Sequence, residues 1–363
     1  MRTRRFFEFL MLLASVSLAC SLTGPAATPT AQSSADNIQV DYHYTDELIT
    51  VIYPLYGSKL DDFVIVTLTN NNSAPVKLKV ESEITDYSDM AIDTVDLDAG
   101  EVLEVRQNPR LKPEMIDQLN VEKPAQVHVR VTALQNGSEQ TLFEQTNDIS
   151  VYARRDFPWA ISGFTDAQVY EMLAAMVTPN DPSVEALLRT AANHTTTTGV
   201  AGTIWGGYGG HVNDDNGAVW DRLQAIWQAE NDNSLAYVNT TVSFAPGHVQ
   251  RIRLPYEVMQ QNSGNCIELA LLYASAAEAL DLESAIILIP GHAYVGVRVD
   301  DTNNKYYYIE TTLIGRASFD EATTKGSQEF TDALPHIDAN EVSYAWVSIA
   351  DARQAGILPL PWH

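Results

Sequence analysis

The sequence predicts an α+β protein in which strands dominate the first half and helices and strands mix in the second. The first observation is a series of short apolar runs, several alternating with period two, between residues 37 and 153. The second is a change to helical spacing of the apolar residues after Asp156-Phe157-Pro158-Trp159. The third is length, because the roughly 325 residues that follow an N-terminal sorting segment suit two domains.

An export signal is predicted at the N-terminus. Residues 1–19 combine three early arginines with a mostly apolar stretch that is too short to span a bilayer as a stable anchor. Ser17-Leu18-Ala19-Cys20 resembles a bacterial lipoprotein box, in which the cysteine is lipidated and becomes the new N-terminus, and plain cleavage after Ala19 is the alternative. We therefore expect an exported protein that is lipid-anchored to the cell membrane through Cys20 and faces outward.

The segment after the signal and the net charge limit the possible partners. Residues 20–36 are predicted to be the lipidated cysteine and a flexible tether, because they are rich in Ser, Thr, Ala, Pro and Gln and lack apolar periodicity. The chain carries a formal net charge of −25. That charge argues against nucleic acid, whose phosphates demand a basic face, and against adhesion to an anionic membrane surface. The N-terminal lipid is therefore the one membrane contact we expect.

Residues 37–153 are predicted to form an antiparallel, immunoglobulin-like β-sandwich. Residues 63–68 are a β-branched apolar run, and residues 76–80 and 127–131 alternate apolar and polar side chains. Asn136-Gly137 is a hairpin-turn signal. Several short strands at such spacing are typical of a sandwich. Since no constellation of chemical groups stands out here, a spacer or binding module is the expected role.

Residues 154–363 are predicted to form the second domain, which starts with helices. Thr165 and Gln168 form a capping-box pattern at the start of the first helix. Residues 182–192 and 218–229 have helical apolar spacing, and their aromatic side chains are expected in the core. The glycine-rich stretch 203–217 is interpreted as a loop, because it matches neither a phosphate-binding loop nor an EF-hand.

The second domain contains a single thiol, Cys266, because the only other cysteine, Cys20, lies in the export signal. Asn265 can cap a helix that begins at Cys266 and runs to about residue 280, and Glu268 completes a capping box. The free N–H groups and the positive end of the helix dipole favour the thiolate form of Cys266. An exposed thiol in an exported protein is open to oxidation, so this cysteine is either deeply buried or kept for chemistry.

A histidine and a carboxylate follow the thiol on two predicted strands. His292 begins the strand after the Pro290-Gly291 break, and Glu310 lies on the return strand. A carboxylate there can hold the imidazole by its second nitrogen, provided that even-numbered residues face even-numbered ones. The order thiol, histidine, carboxylate is typical of the nucleophile, base and orienting group of a cysteine acyl-transfer site.

Each of these three residues also has an ordinary structural explanation. Cys266 can be a buried thiol at a helix start, His292 a strand histidine without catalytic function, and Glu310 a solvated edge charge. Their order and spacing together favour the catalytic interpretation. A zinc site is not expected, because there is one thiol and no pair of histidines at ligand spacing. No organic cofactor is implied either.

Three motifs resemble those of the transglutaminase-like superfamily, which belongs to the papain-like cysteine enzymes, over about residues 157–350. The motifs agree in order and element type: Gly264-Asn265-Cys266, Gly291-His292-Ala293-Tyr294-Val295-Gly296-Val297 and Ile309-Glu310-Thr311-Thr312. The resemblance implies a nucleophilic cysteine at a helix N-terminus, packed on an antiparallel sheet that carries a histidine and an aspartate on successive strands. Members include protein cross-linkers, proteases, deglycosylating amidases and inactive relatives, so membership does not fix the reaction.

Two details separate this chain from that pattern. Glu310 stands where an aspartate is more usual, and the longer side chain requires the imidazole to sit further back or to be held more loosely. The group that completes the oxyanion hole is not evident from the motifs. The backbone N–H of Cys266 is one candidate, and Gln250 is a second, for which an ordinary surface glutamine is the alternative.

We therefore expect an exported cysteine enzyme that hydrolyses a peptide or cell-envelope amide through a thioester, with Cys266, His292 and Glu310 as its triad. The alternative is a catalytically silent surface lipoprotein of the same fold, with a binding or scaffolding role. A redox role is less favoured, because the mature chain has no resolving cysteine. The sequence specifies neither the substrate nor the oligomeric state.

Overall fold

The computed structural model describes residues 31–32, 37–135, 138–161, 163–195, 202–204, 206–208, 215–239, 249–299 and 305–360. Helices and strands occur in nearly equal share, which confirms the α+β class. The predicted signal peptide, Cys20 and the Asn136-Gly137 turn lie outside the described residues. Within the described part of the chain, no helix is both long enough and apolar enough to cross a membrane.

The first half is built almost entirely of strands, with one short helix and one 3-10 turn at Thr50–Leu55. Its elements are β1 (Ala31–Gln32), β2 (Ile38–Tyr44), β3 (Glu47–Leu48), β4 (Val64–Asn70), β5 (Val76–Ile84), β6 (Ala91–Leu97), β7 (Val102–Gln107), α1 (Pro113–Ile116), β8 (Lys123–Gln135) and β9 (Ser138–Val151). The strand β1 falls inside the predicted tether and pairs antiparallel with β2. A strand pair needs only backbone hydrogen bonds, which the composition of a segment does not reveal.

These strands form two sheets that share one hydrophobic core. The four-stranded sheet has the order β1-β2-β4-β7, and the five-stranded sheet has the order β3-β9-β8-β5-β6. Alternate side chains of β5 and β8 are buried, as the period-two patterns of residues 76–80 and 127–131 predict. Val66 on β4 belongs to the same core cluster as Val129 on β8. His128, between two buried valines of β8, is half-buried and lies 3.0 Å from Glu144.

The second half mixes helices with strands, together with 3-10 turns at Met172–Met176 and Thr311–Leu313. Its elements are β10 (Asp156–Pro158), α2 (Asp166–Glu171), α3 (Pro182–Ala191), α4 (Asp215–Asp232), β11 (Ala236–Tyr237), β12 (Val249–Arg251), α5 (Pro255–Gln261), β13 (Ser263–Gly264), α6 (Cys266–Glu278), β14 (Ser284–Ile289), β15 (His292–Arg298), β16 (Tyr306–Ile309), α7 (Phe319–Asp338), β17 (Ala345–Ser348) and α8 (Ile349–Gln354). The helix α4 begins at Asp215, inside the stretch that the sequence interpretation assigned to a loop.

The central sheet of this half is antiparallel and has the order β16-β15-β14-β17. The helix α6 packs on one face of it, against β14 and β15. The opposite face is covered by α7, where Phe330 stacks on Tyr308 of β16 with ring centroids 3.9 Å apart. Gly326 of α7 permits this approach, because a Cβ there would lie 2.6 Å from the Tyr308 backbone.

Two packing details differ from what the apolar patterns of the sequence indicate. The pattern of α6 indicates one buried stripe, formed by Leu269, Leu272, Tyr273 and Ala276. Every residue of α6 from Cys266 to Ala277 is buried instead, because helices surround α6 on the sides that the sheet leaves free. The pattern of β15 indicates that only its odd-numbered residues face a core, yet Tyr294 on the even-numbered face has no exposed surface, because the unpredicted helix α7 covers that face.

The two halves meet at the predicted joint. Phe157 and Trp159 are fully buried in the second core, and the first-half segment 49–60 contributes apolar side chains to that same core. Arg154 forms ion pairs with Asp117 at 3.3 Å and with Glu257 of α5 at 2.7 Å. Arg154 therefore ties Asp117 of the first half to the buried carboxylate of Glu257 in α5.

Candidate functional site

The N-terminus of α6 carries the only thiol of the described residues. Asn265 caps the helix by accepting a hydrogen bond from the backbone N–H of Glu268 at 3.0 Å, and the Glu268 carboxylate accepts the N–H of Asn265 at 2.9 Å. The predicted capping box is thus confirmed. Cys266 is the first residue of the helix, where backbone N–H groups have no partner within the helix. The helix end therefore offers its dipole and free donors to the sulfur.

The segment that leads into the helix is held on two sides. Gly264 pairs with Tyr237 of β11 in a short parallel ladder, and a Cβ at position 264 would lie 2.9 Å from the Leu269 side chain. On the other side, Arg253 donates to both oxygens of Glu268, at 3.0 Å and 2.6 Å. These contacts fix the position of the thiol relative to the sheet.

His292 and Glu310 meet through the strand register that the sequence argument required. Gly296 pairs with Tyr308 and Arg298 with Tyr306, so even-numbered residues face each other across β15 and β16. The Nε2 atom of His292 donates to Oε2 of Glu310 at 2.6 Å. Glu310 lies just beyond the end of β16, and only 2% of its surface is exposed.

The carboxylate of Glu310 is held firmly rather than loosely. Its Oε1 atom accepts hydrogen bonds from the backbone N–H of Thr312, at 2.9 Å, and from the Thr312 hydroxyl. The residue is also the N-cap of the 3-10 turn at Thr311–Leu313. With Oε2 given to His292, both oxygens have partners, and the side chain has little freedom to turn away from the imidazole.

The Cys266 thiol lies close enough to the His292 ring to raise the pKa of that ring. Because Glu310 occupies Nε2, Nδ1 is the ring nitrogen that remains for the sulfur. Burial alone would lower the pKa of His292, but the hydrogen bonds with Cys266 and Glu310 outweigh it and raise the pKa to about 10. Burial would likewise raise the pKa of Glu310, yet the hydrogen bond from His292 holds it below its usual range. A charged imidazolium between thiol and carboxylate is the arrangement that these shifts describe.

Access to the three groups is uneven. Cys266 has 1% of its surface exposed, whereas 23% of the His292 side chain is exposed. The solvent-exposed side of the site is therefore the side of the imidazole. The low exposure of the thiol is the main observation against an open nucleophile.

A fourth titratable group, which the sequence analysis missed, lies beside the triad. Glu329 of α7 has its Oε2 atom 3.8 Å from Nε2 of His292. Ligand atoms of His292, Glu310 and Glu329 lie within 4.8 Å of one another, a spacing that could accommodate a metal ion. Hydrogen bonding already accounts for His292 and Glu310, so we assign no ligand role to them. The capping box of Ser318 and Glu321, which starts α7, is the sequence signal that could have located this helix.

Tyr237 and Arg316 flank the thiol on the side of β11. The guanidinium of Arg316 lies 5.4 Å from the centre of the Tyr237 ring and donates to the carbonyl of Thr312. Burial, with the charges of Cys266 and Glu310, raises the pKa of Tyr237. An aromatic ring and an exposed cation thus border the site in a strongly acidic chain.

Gln250, the second candidate for the oxyanion hole, forms a hydrogen bond with Trp159. Its Oε1 atom accepts a hydrogen bond from Nε1 of Trp159 at 3.2 Å, and its backbone pairs with Phe157 across β12 and β10. Within the described part of the chain, no recorded contact joins Gln250 to Cys266 or His292, and its Nε2 atom is buried without a partner. The oxyanion role of Gln250 therefore stays a prediction, and the N–H groups at the start of α6 lie close to the sulfur.

Two comparisons with known proteins found no match. No protein-family model matches this chain, and no curated protein matches it either. The functional argument therefore rests on the geometry of the site and on the motifs that surround it.

Proposed function

We propose that this chain is an exported cysteine acyl-transfer enzyme that hydrolyses a peptide or cell-envelope amide bond. The single observation that carries the proposal is the position of His292, which bonds to Glu310 through one ring nitrogen and leaves the other to the Cys266 thiol. The thiol at a capped helix start and the antiparallel sheet beneath it support membership of the transglutaminase-like superfamily.

The reaction begins from the ion pair in which the proton of Cys266 already resides on His292, as thiolate and imidazolium. The thiolate then attacks the amide carbonyl carbon, and the carbonyl electron pair moves to oxygen. N–H groups at the start of α6, including that of Cys266, stabilise this oxyanion. His292 then donates its proton to the leaving amine, the C–N bond breaks, and a thioester remains. A water molecule, deprotonated by His292, attacks the thioester, releases the carboxylic acid and restores the thiol.

Glu310 keeps the imidazole in the orientation and tautomer that this sequence requires. Its negative charge stabilises the imidazolium that forms when His292 takes the thiol proton. The hydrogen bonds from Thr312 prevent Glu310 from turning away. No cofactor takes part in these steps.

The test is the rate at which iodoacetamide alkylates Cys266 near pH 6. Peptide mapping by mass spectrometry separates this thiol from Cys20. We expect rapid alkylation in the wild-type protein and a loss of at least tenfold in His292→Ala, because the imidazolium no longer stabilises the thiolate. The matched control is His128→Ala, which removes a histidine from an equivalent strand pair with Glu144 far from the thiol. Equal rates in all three proteins would refute the proposal.

A second candidate function is favoured by the 1% exposure of Cys266. In this alternative the chain is a binding or scaffolding lipoprotein whose transglutaminase-like domain is catalytically silent. A thiol that reacts no faster than an ordinary buried cysteine supports it, as does a folded Cys266→Ser variant that retains the full cellular phenotype. Selective alkylation that depends on His292 argues against it.

Location and domain roles form part of the same proposal. We infer that residues 1–19 direct export, that Cys20 carries the lipid, and that the protein faces outward from the membrane. The two sheets of the first half, which share one core, support an immunoglobulin-like sandwich that serves as a spacer or binding module. Metabolic labelling with a fatty acid, lost in Cys20→Ala, tests the anchor.

A further inference from the structure

A second carboxyl group lies against the Glu310 carboxylate, on the face of the sheet that α7 covers. The Oε2 atom of Glu329 is buried, and no donor among the described residues reaches it. Its other oxygen, Oε1, lies 2.9 Å from Nζ of Lys325, one turn earlier in α7. The contact between α7 and β16, closed by Gly326 and Tyr308, sets the distance between the two carboxyl groups.

Oxygen atoms of Glu310 and Glu329 lie within 4.8 Å of each other. Two carboxylates this close cannot both remain ionised without a cost in free energy, because like charges repel and burial removes their hydration. One proton shared between them removes the repulsion and supplies the missing donor for the buried oxygen. The environments decide which group holds that proton. Glu310 faces the imidazolium of His292 and two donors from Thr312, all of which favour its charged form. Glu329 has the half-exposed cation of Lys325 at 2.9 Å, and the His292 ring lies farther from it, at 3.8 Å, than from Glu310.

We propose that Glu329 is a positioning residue of the site: its protonated carboxyl donates a hydrogen bond to Glu310 and holds that carboxylate against His292. This inference rests on the proposed function, because it extends the triad to a fourth member. Burial first, and then the contact with Glu310, raise the pKa of Glu329 to about 7. The hydrogen bond therefore exists below neutral pH and is lost above it, when Glu329 ionises and pairs with Lys325 alone.

The groups that face Glu329 come from three elements. Lys325 and Asp332 belong to its own helix, while the sheet contributes two aromatic rings and one carboxylate. The charged and titratable neighbours are Lys325, Asp332, His292, Tyr294 and Glu310. The Tyr294 hydroxyl is buried without a partner among the described residues, and its own high pKa keeps it neutral across this range. Glu310 is the strongest influence among the acidic groups.

The experiment compares the full-length wild-type protein with Glu329→Gln, Glu329→Ala and the control Asp332→Asn. Asp332 lies on the same helix but has no recorded contact with Glu310. Infrared difference spectra taken through a pH titration detect neutral carboxylic acids directly. We expect a carboxylic-acid signal with a midpoint near pH 7 in the wild type and in Asp332→Asn, and none in Glu329→Gln. Glu230, a fully buried acid with a raised pKa, contributes equally to all four proteins, so its signal cancels when the Glu329→Gln titration is subtracted from the wild-type titration. A subtraction that leaves no carboxylic-acid component with a midpoint near pH 7 overturns the proposal.

Alkylation of Cys266 near pH 6 gives the second readout. We expect Glu329→Ala to react about tenfold more slowly, because Glu310 loses a donor, and Glu329→Gln to stay within about twofold, because its amide still donates. Equal rates in wild type and Glu329→Ala overturn the positioning role. If wild type and His292→Ala react equally, the proposed enzyme fails, and the infrared titration still decides whether Glu329 donates to Glu310. Matching circular dichroism spectra confirm that the variants are folded.

Discussion

The substitution Glu310→Gln isolates the charge of the orienting group from its shape. Glutamine has nearly the same size, and its amide oxygen can still accept from Thr312. Its NH2 group then points at Nε2 of His292, where the carboxylate oxygen now lies at 2.6 Å. The ring can accept that donor only by moving its proton to Nδ1, the nitrogen that faces the sulfur. It then cannot take the proton of Cys266.

The expected loss follows from the bond that is removed. A hydrogen bond between charged groups contributes about 1.5 to 3 kcal/mol, which corresponds to about 10- to 100-fold in the population of the imidazolium–thiolate pair. The burial of Glu310, 2% exposed, favours the upper part of that range because water cannot screen or replace the bond. Burial lowers the pKa of His292, while Cys266 and Glu310 raise it to about 10. That pKa should fall in Glu310→Gln, because the negative charge of residue 310 is lost.

The assay is the second-order rate constant for alkylation of Cys266 by iodoacetamide between about pH 5 and 9. At acidic pH, Glu310→Gln should be alkylated more slowly than the wild type. At high pH, where any thiol ionises, the rate constants of the two proteins should become equal. Glu144→Gln, which alters the equivalent partner of His128, should leave the profile unchanged. A Glu310→Gln profile that overlays the wild type at pH 6 would show that the carboxylate does not act on the thiol through His292.

Three further outcomes follow from the packing around the site. Gly326→Ala should lower the melting temperature, although alanine favours helices by about 1 kcal/mol, because its Cβ would lie 2.6 Å from the Tyr308 backbone; a stabilised variant would contradict this. Glu257→Ala should destabilise by about 3 to 5 kcal/mol in urea unfolding, because it removes the buried carboxylate that forms ion pairs with both Arg154 and Arg155; a change below about 1 kcal/mol would contradict it. The raised pKa of Glu329, about 7, means that the folded state loses stability as pH rises from about 4.5 through 7. Glu329→Gln should remove that loss, worth about 1 to 2 kcal/mol after solvent screening, so melting curves of the two proteins should diverge at pH 8 and approach each other at pH 5.

The parts of the fold that sequence reasoning predicted are those set by local signals. The capping box at Asn265 fixes the start of α6, and the alternation in β5 and β8 fixes which side chains enter the first core. The even register of β15 and β16 could be stated only as a condition, since the intervening turn does not reveal it. The observed pairing of Gly296 with Tyr308 meets that condition.

The parts that escaped prediction depend on contacts between distant segments. The helix α7 contains Gly326 and Pro335 in its interior, and both residues normally argue against a helix. Packing against Tyr308 accounts for the glycine, but that contact is invisible in the sequence. Without α7, Tyr294 looks like a solvent-facing residue of β15, and Glu329 cannot be placed beside the triad.

The glutamate at position 310 fits the geometry of the strand pair. The register that joins Gly296 to Tyr308 sets residue 310 opposite Tyr294, so His292 lies diagonally across from Glu310. Diagonal neighbours on an antiparallel pair are about 7 to 8 Å apart, farther than directly opposite residues. The additional methylene of glutamate spans that distance, while Oε1 still reaches the backbone of Thr312 at 2.9 Å. A glutamate at position 310 therefore has the length that brings a carboxylate to His292 in this register.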